Sequence, residues 1–289
     1  MLTTSEILKR VRRIEIKTRG LSNHIFAGEY HSAFKGRGMS FSEVREYTPG
    51  DDVKSIDWNV TARFSHPFVK VFEEERELTV MLLVDVSASS LFGTHQRLKR
   101  DLITELSAVL SFSADTNNDK VGVIFFSDKV EKFIPPKKGR SHILRIIREL
   151  IALEPAYSSD TDIGVALDYL NNVLKKRTIS FLLSDFISQP YDKALQLAAR
   201  KHDLVGMQIY DLADRELPTA GLLQVMDAEK GTLQWIDTDD KQVRNQYAKA
   251  FDMHKQYCVQ SFRKSGASLL TMRTDEDYVK VLQGFFKGR

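Results

Sequence analysis

Residues 78–86 read Leu-Thr-Val-Met-Leu-Leu-Val-Asp-Val, a nearly continuous apolar run broken by the acid Asp85. A segment that is apolar at almost every position, rather than at alternate ones, leaves no face for water. It therefore predicts a central strand of a parallel sheet, covered on both sides. A second run of this kind, 178–184, closes on Asp185. The longer run is far short of the ~20 apolar residues that a spanning helix needs, and no secretory-type apolar stretch opens the chain.

Around these two runs the pattern alternates. Helical periodicity covers 96–114, and strands fit 121–126 and 130–134 on either side of a Ser127-Asp128 turn. Helices follow at 142–152 and 163–175. Beyond the second run come a helix at 191–201, a strand at 204–210, a hairpin across 222–226 and 233–236, a helix at 241–264, a strand at 268–272 and a helix at 276–286. Strands alternating with helices predict a doubly wound, mostly parallel α/β sheet of Rossmann type over 78–289, with a hairpin inserted near 221–237. Residues 1–77 differ: Gly28, Gly36, Gly38 and Pro49-Gly50 interrupt short stretches such as 39–47 and 68–72, which predicts an N-terminal helix followed by an irregular, β-rich subdomain.

Charge and cysteine content narrow the functional classes. Among 289 residues, 42 bases against 39 acids leave a formal charge of +3, too little to make nucleic acid the main partner. The excess is local. Lys9, Arg10, Arg12, Arg13, Lys17 and Arg19 lie in the first twenty residues, where Ile7, Leu8, Val11 and Ile14 recur at helical spacing. Such a helix either docks on the domain by its apolar stripe or rests peripherally on an anionic membrane. Cys258 is the only cysteine, so no internal disulfide can form, and the expectation is core packing in a reducing, cytoplasmic setting.

Open α/β sheets bind ligands outside the carboxyl ends of their strands, where Asp85 and Asp185 fall. Asp85-Val-Ser87-Ala-Ser89 places three oxygen-bearing side chains at alternating positions, and the polar segment 158–162 precedes the helix at Ile163 with Thr161 as its best candidate ligand. Two carboxylates with neutral hydroxyls suit a hard, oxygen-preferring ion, Mg²⁺ or Mn²⁺, better than Zn²⁺. Asp85, Ser87, Ser89, Thr161 and Asp185 are thus the candidate metal ligands. Taken singly, Asp85 also reads as a strand-end turn residue, the serines as a capped loop, and Asp185 as a cap for the helix at Tyr191.

These five positions resemble the metal-ion-dependent adhesion site of von Willebrand factor A domains. The segment from Tyr47 to Arg63, with Pro49, Gly50, Asp51, Asp52, Asp57 and Trp58, is in turn similar to the signature of the bacterial "domain of unknown function fifty-eight" family, as are Phe34-x-Gly36-x-Gly38-x-x-Phe41, Arg45 and the stretch 222–247. That resemblance implies a von Willebrand factor A-like fold. It also implies a cytoplasmic or membrane-associated adaptor or assembly factor paired with MoxR-type AAA+ ATPases. Family members commonly carry Met where this chain has Ser90, and Gly-Gly where it has Ser159-Asp160. Asp160 then either adds a carboxylate to the site or caps the following helix.

Within the signature, Asp51 and Asp52 can accept backbone amides, Asp57 can pair with Arg63 or Arg45, and Trp58 can anchor the loop. The competing reading makes Asp51, Asp52, Asp57, Trp58 and Arg63 a docking surface for a partner. An enzyme of haloacid-dehalogenase phosphatase type would need Asp-x-Asp, one carboxylate as nucleophile and the other as acid and base. Serine at 87 does not supply the second. No nucleophile elbow, P-loop or His-Glu-x-x-His motif is present. The expectation is a non-enzymatic module whose bound cation accepts an acidic residue of a protein partner. A Mg²⁺-dependent phosphohydrolase and a peripheral membrane scaffold are the alternatives.

Overall fold

The computed structural model describes residues 4–26, 39–74, 78–94, 97–154, 161–226 and 231–288. In chain order the elements are α1 (Thr4–Phe26), β1 (Met39–Glu46), α2 (Trp58–Phe64), β2 (Phe68–Glu74), β3 (Thr79–Asp85), α3 (Lys99–Thr116), β4 (Lys120–Phe126), β5 (Val130–Lys137), α4 (Arg140–Ala152) and α5 (Ile163–Val173). They continue with β6 (Ile179–Ser184), α6 (Asp192–Lys201), β7 (Asp203–Tyr210), α7 (Leu212–Arg215), β8 (Leu222–Met226), β9 (Leu233–Asp237), α8 (Lys241–Ser265), β10 (Ser268–Arg273) and α9 (Tyr278–Lys287).

Both apolar runs become central strands. The main sheet has the order β10-β7-β6-β3-β4-β5, parallel except for β5, which returns antiparallel to β4. The side-chain alternation of β3 divides the core: Val80, Leu82 and Val84 pack with α3, α4 and α9, whereas Met81 and Leu83 pack with α5, α6 and α8. Helices cover both faces, and the fold is a doubly wound α/β sheet. Gly206 on β7 explains how closely α8 lies, because a Cβ there would sit 2.4 Å from the Phe262 ring. Cys258 is buried beside it, as core packing requires.

Helix α1 buries the centre of its apolar stripe, while Leu8 stays 47% exposed. Val11 is buried against Ala108, Phe112, Ile143 and Ile147, with Ile7 and Ile14 beside it. Arg10 pairs with Asp101 and Arg140 with Glu15 across the same seam. β1 and β2 form a separate two-stranded antiparallel ladder, and β8 and β9 the inserted hairpin.

The 47–63 segment departs from expectation in three respects. α2 is a helix where only turns and strands are expected, and its cap is Asp57, whose Oδ1 accepts the amides of Asn59 and Val60. Asp57 pairs with neither Arg63 nor Arg45: its ion-pair partner is Lys70, at 3.5 Å, while Arg45 binds Asp51 in a bidentate pair. Trp58 is 67% exposed and so anchors nothing by burial. Asp51 and Asp52 do accept backbone amides, from Thr48 and Lys54 respectively.

Candidate functional site at the carboxyl ends of the central strands

β3 and β6 are neighbours, with Val84 opposite Leu183. The chain leaves β3 into α3 on one face and leaves β6 into α6 on the other. Diverging connections open a crevice at the strand ends, the usual ligand position in such sheets. Asp85 and Asp185 stand at it.

The Asp85 carboxylate is buried and fixed at both oxygens: Oδ1 accepts the Ser87 amide at 2.9 Å, and Oδ2 accepts the Ser184 hydroxyl at 2.6 Å. Ser87 Oγ lies 3.1 Å from Ser89 Oγ, and Ser89 is among the groups that favour the charged form of the Asp185 carboxyl. Ser90 turns the other way, donating to the Ser87 carbonyl at 2.7 Å and closing the 3-10 turn Ala88–Leu91. Asp85, Ser87 and Ser89 therefore form one connected group, and Asp185 lies close enough for its charge to act on Asp85.

Asp185 is not the cap of the helix that follows it. Its Oδ1 accepts the Ile187 amide at 3.1 Å, and α6 begins later, at Asp192. Phe186 adopts φ +62°, which costs a bulky residue roughly 1–2 kcal/mol. Burial against Phe262, with ring centroids 5.3 Å apart, holds it there.

Thr161, the fifth candidate, is 1% exposed, and its Oγ1 is buried with no hydrogen-bond partner. Its segment is tied to the loop after β6: the Thr161 carbonyl accepts Ser188 Oγ at 2.9 Å, and Ile163 N donates to that same hydroxyl at 3.1 Å. The cap of α5 is Asp162, whose side chain accepts the Val165 amide. Ser158, Ser159 and Asp160 lie outside the described residues.

Sequence reasoning missed three members of this neighbourhood. Lys99, the first residue of α3, is 2% exposed, and its Nζ lies 2.9 Å from Asp185 Oδ2 and 3.2 Å from Asp214 Oδ2. Asp214, on α7, also accepts the Asp211 amide at 2.7 Å. Asp211 accepts the hydroxyls of Thr94 and Thr274 at 2.6 and 2.7 Å, tying the loop after β3 to the end of β10. A signal existed for Asp211, which ends the apolar run of β7 just as Asp85 and Asp185 end theirs. Lys99 carried none.

The electrostatics are unequal across the pocket. Burial, reinforced by the like charge of Asp185, pushes the Asp85 carboxyl up to about 6 despite its hydroxyl and amide donors. Burial also opposes the Asp185 charge, but the Lys99 ammonium outweighs it and holds that carboxyl below its ordinary value. Lys99 is raised, since its two carboxylates overcome the burial that works against its charge.

Two buried carboxylates, a pair of touching hydroxyls and an orphaned hydroxyl on a segment tied to the same loop are oxygen donors of the kind that a hard divalent cation takes, and in their chemistry the residues fit such an ion. Among the described residues no group of three or more His, Cys, Asp or Glu side chains is placed to hold a metal. A borderline ion preferring nitrogen or sulfur finds no site of that kind there.

Fold and site together define an α/β domain with a carboxylate-and-hydroxyl pocket at its topological switch point. The chain belongs to the family described as Protein of unknown function DUF58, whose sequence model matches residues 43–257. It is 30% identical over 281 residues to the uncharacterized protein Rv1480 of Mycobacterium tuberculosis (strain H37Rv), covering 96% of this chain and 88% of the relative. Solved structures to which it is similar include an aerotolerance-related membrane protein from Bacteroides fragilis, 16% identical with a TM-score of 0.49, covering 73% of this chain and all of that one. Another is the SpRpn10 VWA domain, 11% identical with a TM-score of 0.39, covering 71% and 93% of the two chains.

Proposed function

We propose that this chain is a non-enzymatic protein-interaction module that grips an acidic residue of a partner through a Mg²⁺ or Mn²⁺ ion held at Asp85, Ser87 and Ser89, with Thr161 and Asp185 completing the set. The observation that carries this reading is the linked group of Asp85, Ser87 and Ser89, with the Asp185 charge close enough to act on Asp85 and the Thr161 hydroxyl buried and unpaired. Such an ion, when bound, supplies an electrophilic coordination position. Everything else is the work of the chain's own residues. Ser184 and the Ser87 amide hold the Asp85 carboxylate in one orientation. The Ile187 amide does the same for Asp185. With only two carboxylates, one already facing an ammonium, the site leaves a bound ion under-neutralised and hungry for a partner's Asp or Glu.

A hydrolytic reading asks for a carboxylate acid and base beside Asp85. The position two residues on is Ser87, whose hydroxyl neither gives nor takes a proton near neutral pH. The partner that the family resemblance points to is a MoxR-type AAA+ ATPase, and the setting we propose is cytoplasmic with at most peripheral membrane contact. Among the described residues no helix is long and apolar enough to cross a membrane. The buried stripe of α1 favours docking on the domain over insertion into lipid. The exposed Trp58, flanked by Val53 and Phe64 at 61% and 62% exposure, favours 51–63 as a second contact surface.

The test is a pull-down of a purified MoxR-type ATPase by the full chain in Mg²⁺ and in EDTA. Retention in Mg²⁺ alone, lost in an Asp85→Ala variant that still unfolds in one cooperative transition, is expected. Equal retention by the variant refutes the reading.

A further inference from the structure

A lysine buried to 2% exposure at the first position of a helix is an expensive arrangement. Burial disfavours its charge, and the positive end of the α3 dipole repels it. What keeps it is a pair of carboxylates on separate elements, Asp185 at 2.9 Å after β6 and Asp214 at 3.2 Å on α7, both largely buried. Asp185 belongs to the proposed cation site and Asp214 does not. The ammonium thus straddles the boundary between that site and the neighbouring α7. Asp85, in contrast, is met by hydroxyl and amide donors.

We propose that Lys99 is the resident counter-ion of the site, a tethered monovalent cation that an entering divalent ion has to dislodge from Asp185, while Asp214 retains the displaced ammonium. The inference rests on the reading that this pocket takes a divalent cation, and it deepens that reading by naming what sets affinity. With Lys99 on Asp185, an incoming ion meets one uncompensated carboxylate, Asp85, and feels the repulsion of an ammonium a hydrogen bond away from the second. Binding is therefore weak and exchangeable by construction. Transfer of the ammonium to Asp214 is the step that releases Asp185. Because Asp214 sits on α7, beside the Asp211 amide that it also accepts, cation entry is coupled to the segment that leads toward the β8–β9 hairpin.

Titration of the full chain with Mn²⁺, reading free ion by electron paramagnetic resonance, tests this with four proteins: wild type, Lys99→Met, Asp214→Asn and Asp85→Ala. Lys99→Met removes the competing charge at similar length and is expected to tighten Mn²⁺ binding about tenfold or more, given how strongly charges a few ångströms apart interact in a partly buried site. Asp214→Asn keeps the acceptor for the Asp211 amide but takes away the ammonium's alternative partner, so binding weakens several-fold. Opposite signs from two neighbouring substitutions are not produced by general loosening of the fold, and Asp214→Asn keeps the idea falsifiable should Lys99→Met fail to fold. If Asp85→Ala abolishes binding while Lys99→Met binds no tighter than wild type, or Asp214→Asn binds no more weakly, the counter-ion role is wrong and the cation reading stands. No Mn²⁺ binding by any of the four overturns both.

Discussion

Replacing Asp85 by Asn separates what this carboxylate costs the fold from what it does for a ligand. Burial and the charge of Asp185 raise its carboxyl from 3.8 to about 6, so in the absence of a cation the folded protein binds a proton more tightly than the unfolded chain does. The sign follows: where the folded pKa is the higher one, stability is greatest below about pH 4 and falls as pH rises to about 6, beyond which the full penalty applies. A shift of about 2 units corresponds to roughly 3 kcal/mol at neutral pH, and coupling to Asp185 reduces this to about 1–3 kcal/mol. Asparagine fits the same contacts. Its carbonyl oxygen accepts the Ser87 amide, and its NH₂ can donate to Ser184 Oγ, a hydroxyl free to rotate. Urea denaturation in EDTA is therefore expected to show Asp85→Asn more stable than wild type by about 1–3 kcal/mol at pH 7.5, with the gap closing near pH 4. Mg²⁺ should reverse the ranking, because only wild type gains binding energy from the ion. A variant no more stable than wild type in EDTA at pH 7.5, or a gap independent of pH, would refute the electrostatic account of the pocket.

Thr161→Val keeps the shape of the side chain and removes a buried hydroxyl that has no partner. Metal-free stability should rise by about 1 kcal/mol while Mn²⁺ affinity falls, and a drop in both would show that the hydroxyl serves the fold. At His202, burial holds the imidazole down from 6.5 to about 4, and its Nδ1 accepts the Thr178 amide at 3.3 Å, a bond that the doubly protonated ring cannot make. The unfolded chain takes up that proton first, so stability should fall as pH drops from about 6.5 to 4, by up to about 3 kcal/mol. His202→Gln should flatten this limb of the stability curve, and an unchanged slope would exclude His202 as its source.

The strand framework was legible because burial on two faces writes itself into composition. Continuous runs ending in Asp85 and Asp185 placed two central strands and their carboxyl ends, where Asp85, Ser87 and Ser89 are linked and the Asp185 charge reaches Asp85. Local patterning could not show α2, whose seven residues are too few to display helical periodicity and whose existence depends on the Asp57 cap. Nor could it place Lys99. A lysine at a helix start reads as solvent-exposed, and only the arrival of Asp185 and Asp214 from chain positions more than eighty residues away makes its burial tolerable. Exposure of Trp58 was hidden for a related reason, since residue type suggests burial but the short helix α2 turns this ring outward.

The central claim is that Ser87 and Ser89 ligate a divalent cation directly, beside the Asp85 carboxylate. Crystals of the full chain soaked in Mn²⁺, with the ion located by its anomalous scattering, test it most directly. The account predicts one peak bonded to Ser87 Oγ and Ser89 Oγ beside Asp85, with Lys99 Nζ moved from Asp185 toward Asp214. Mn²⁺ bound elsewhere, with the Lys99–Asp185 pair intact and no density between the serines and Asp85, would contradict it.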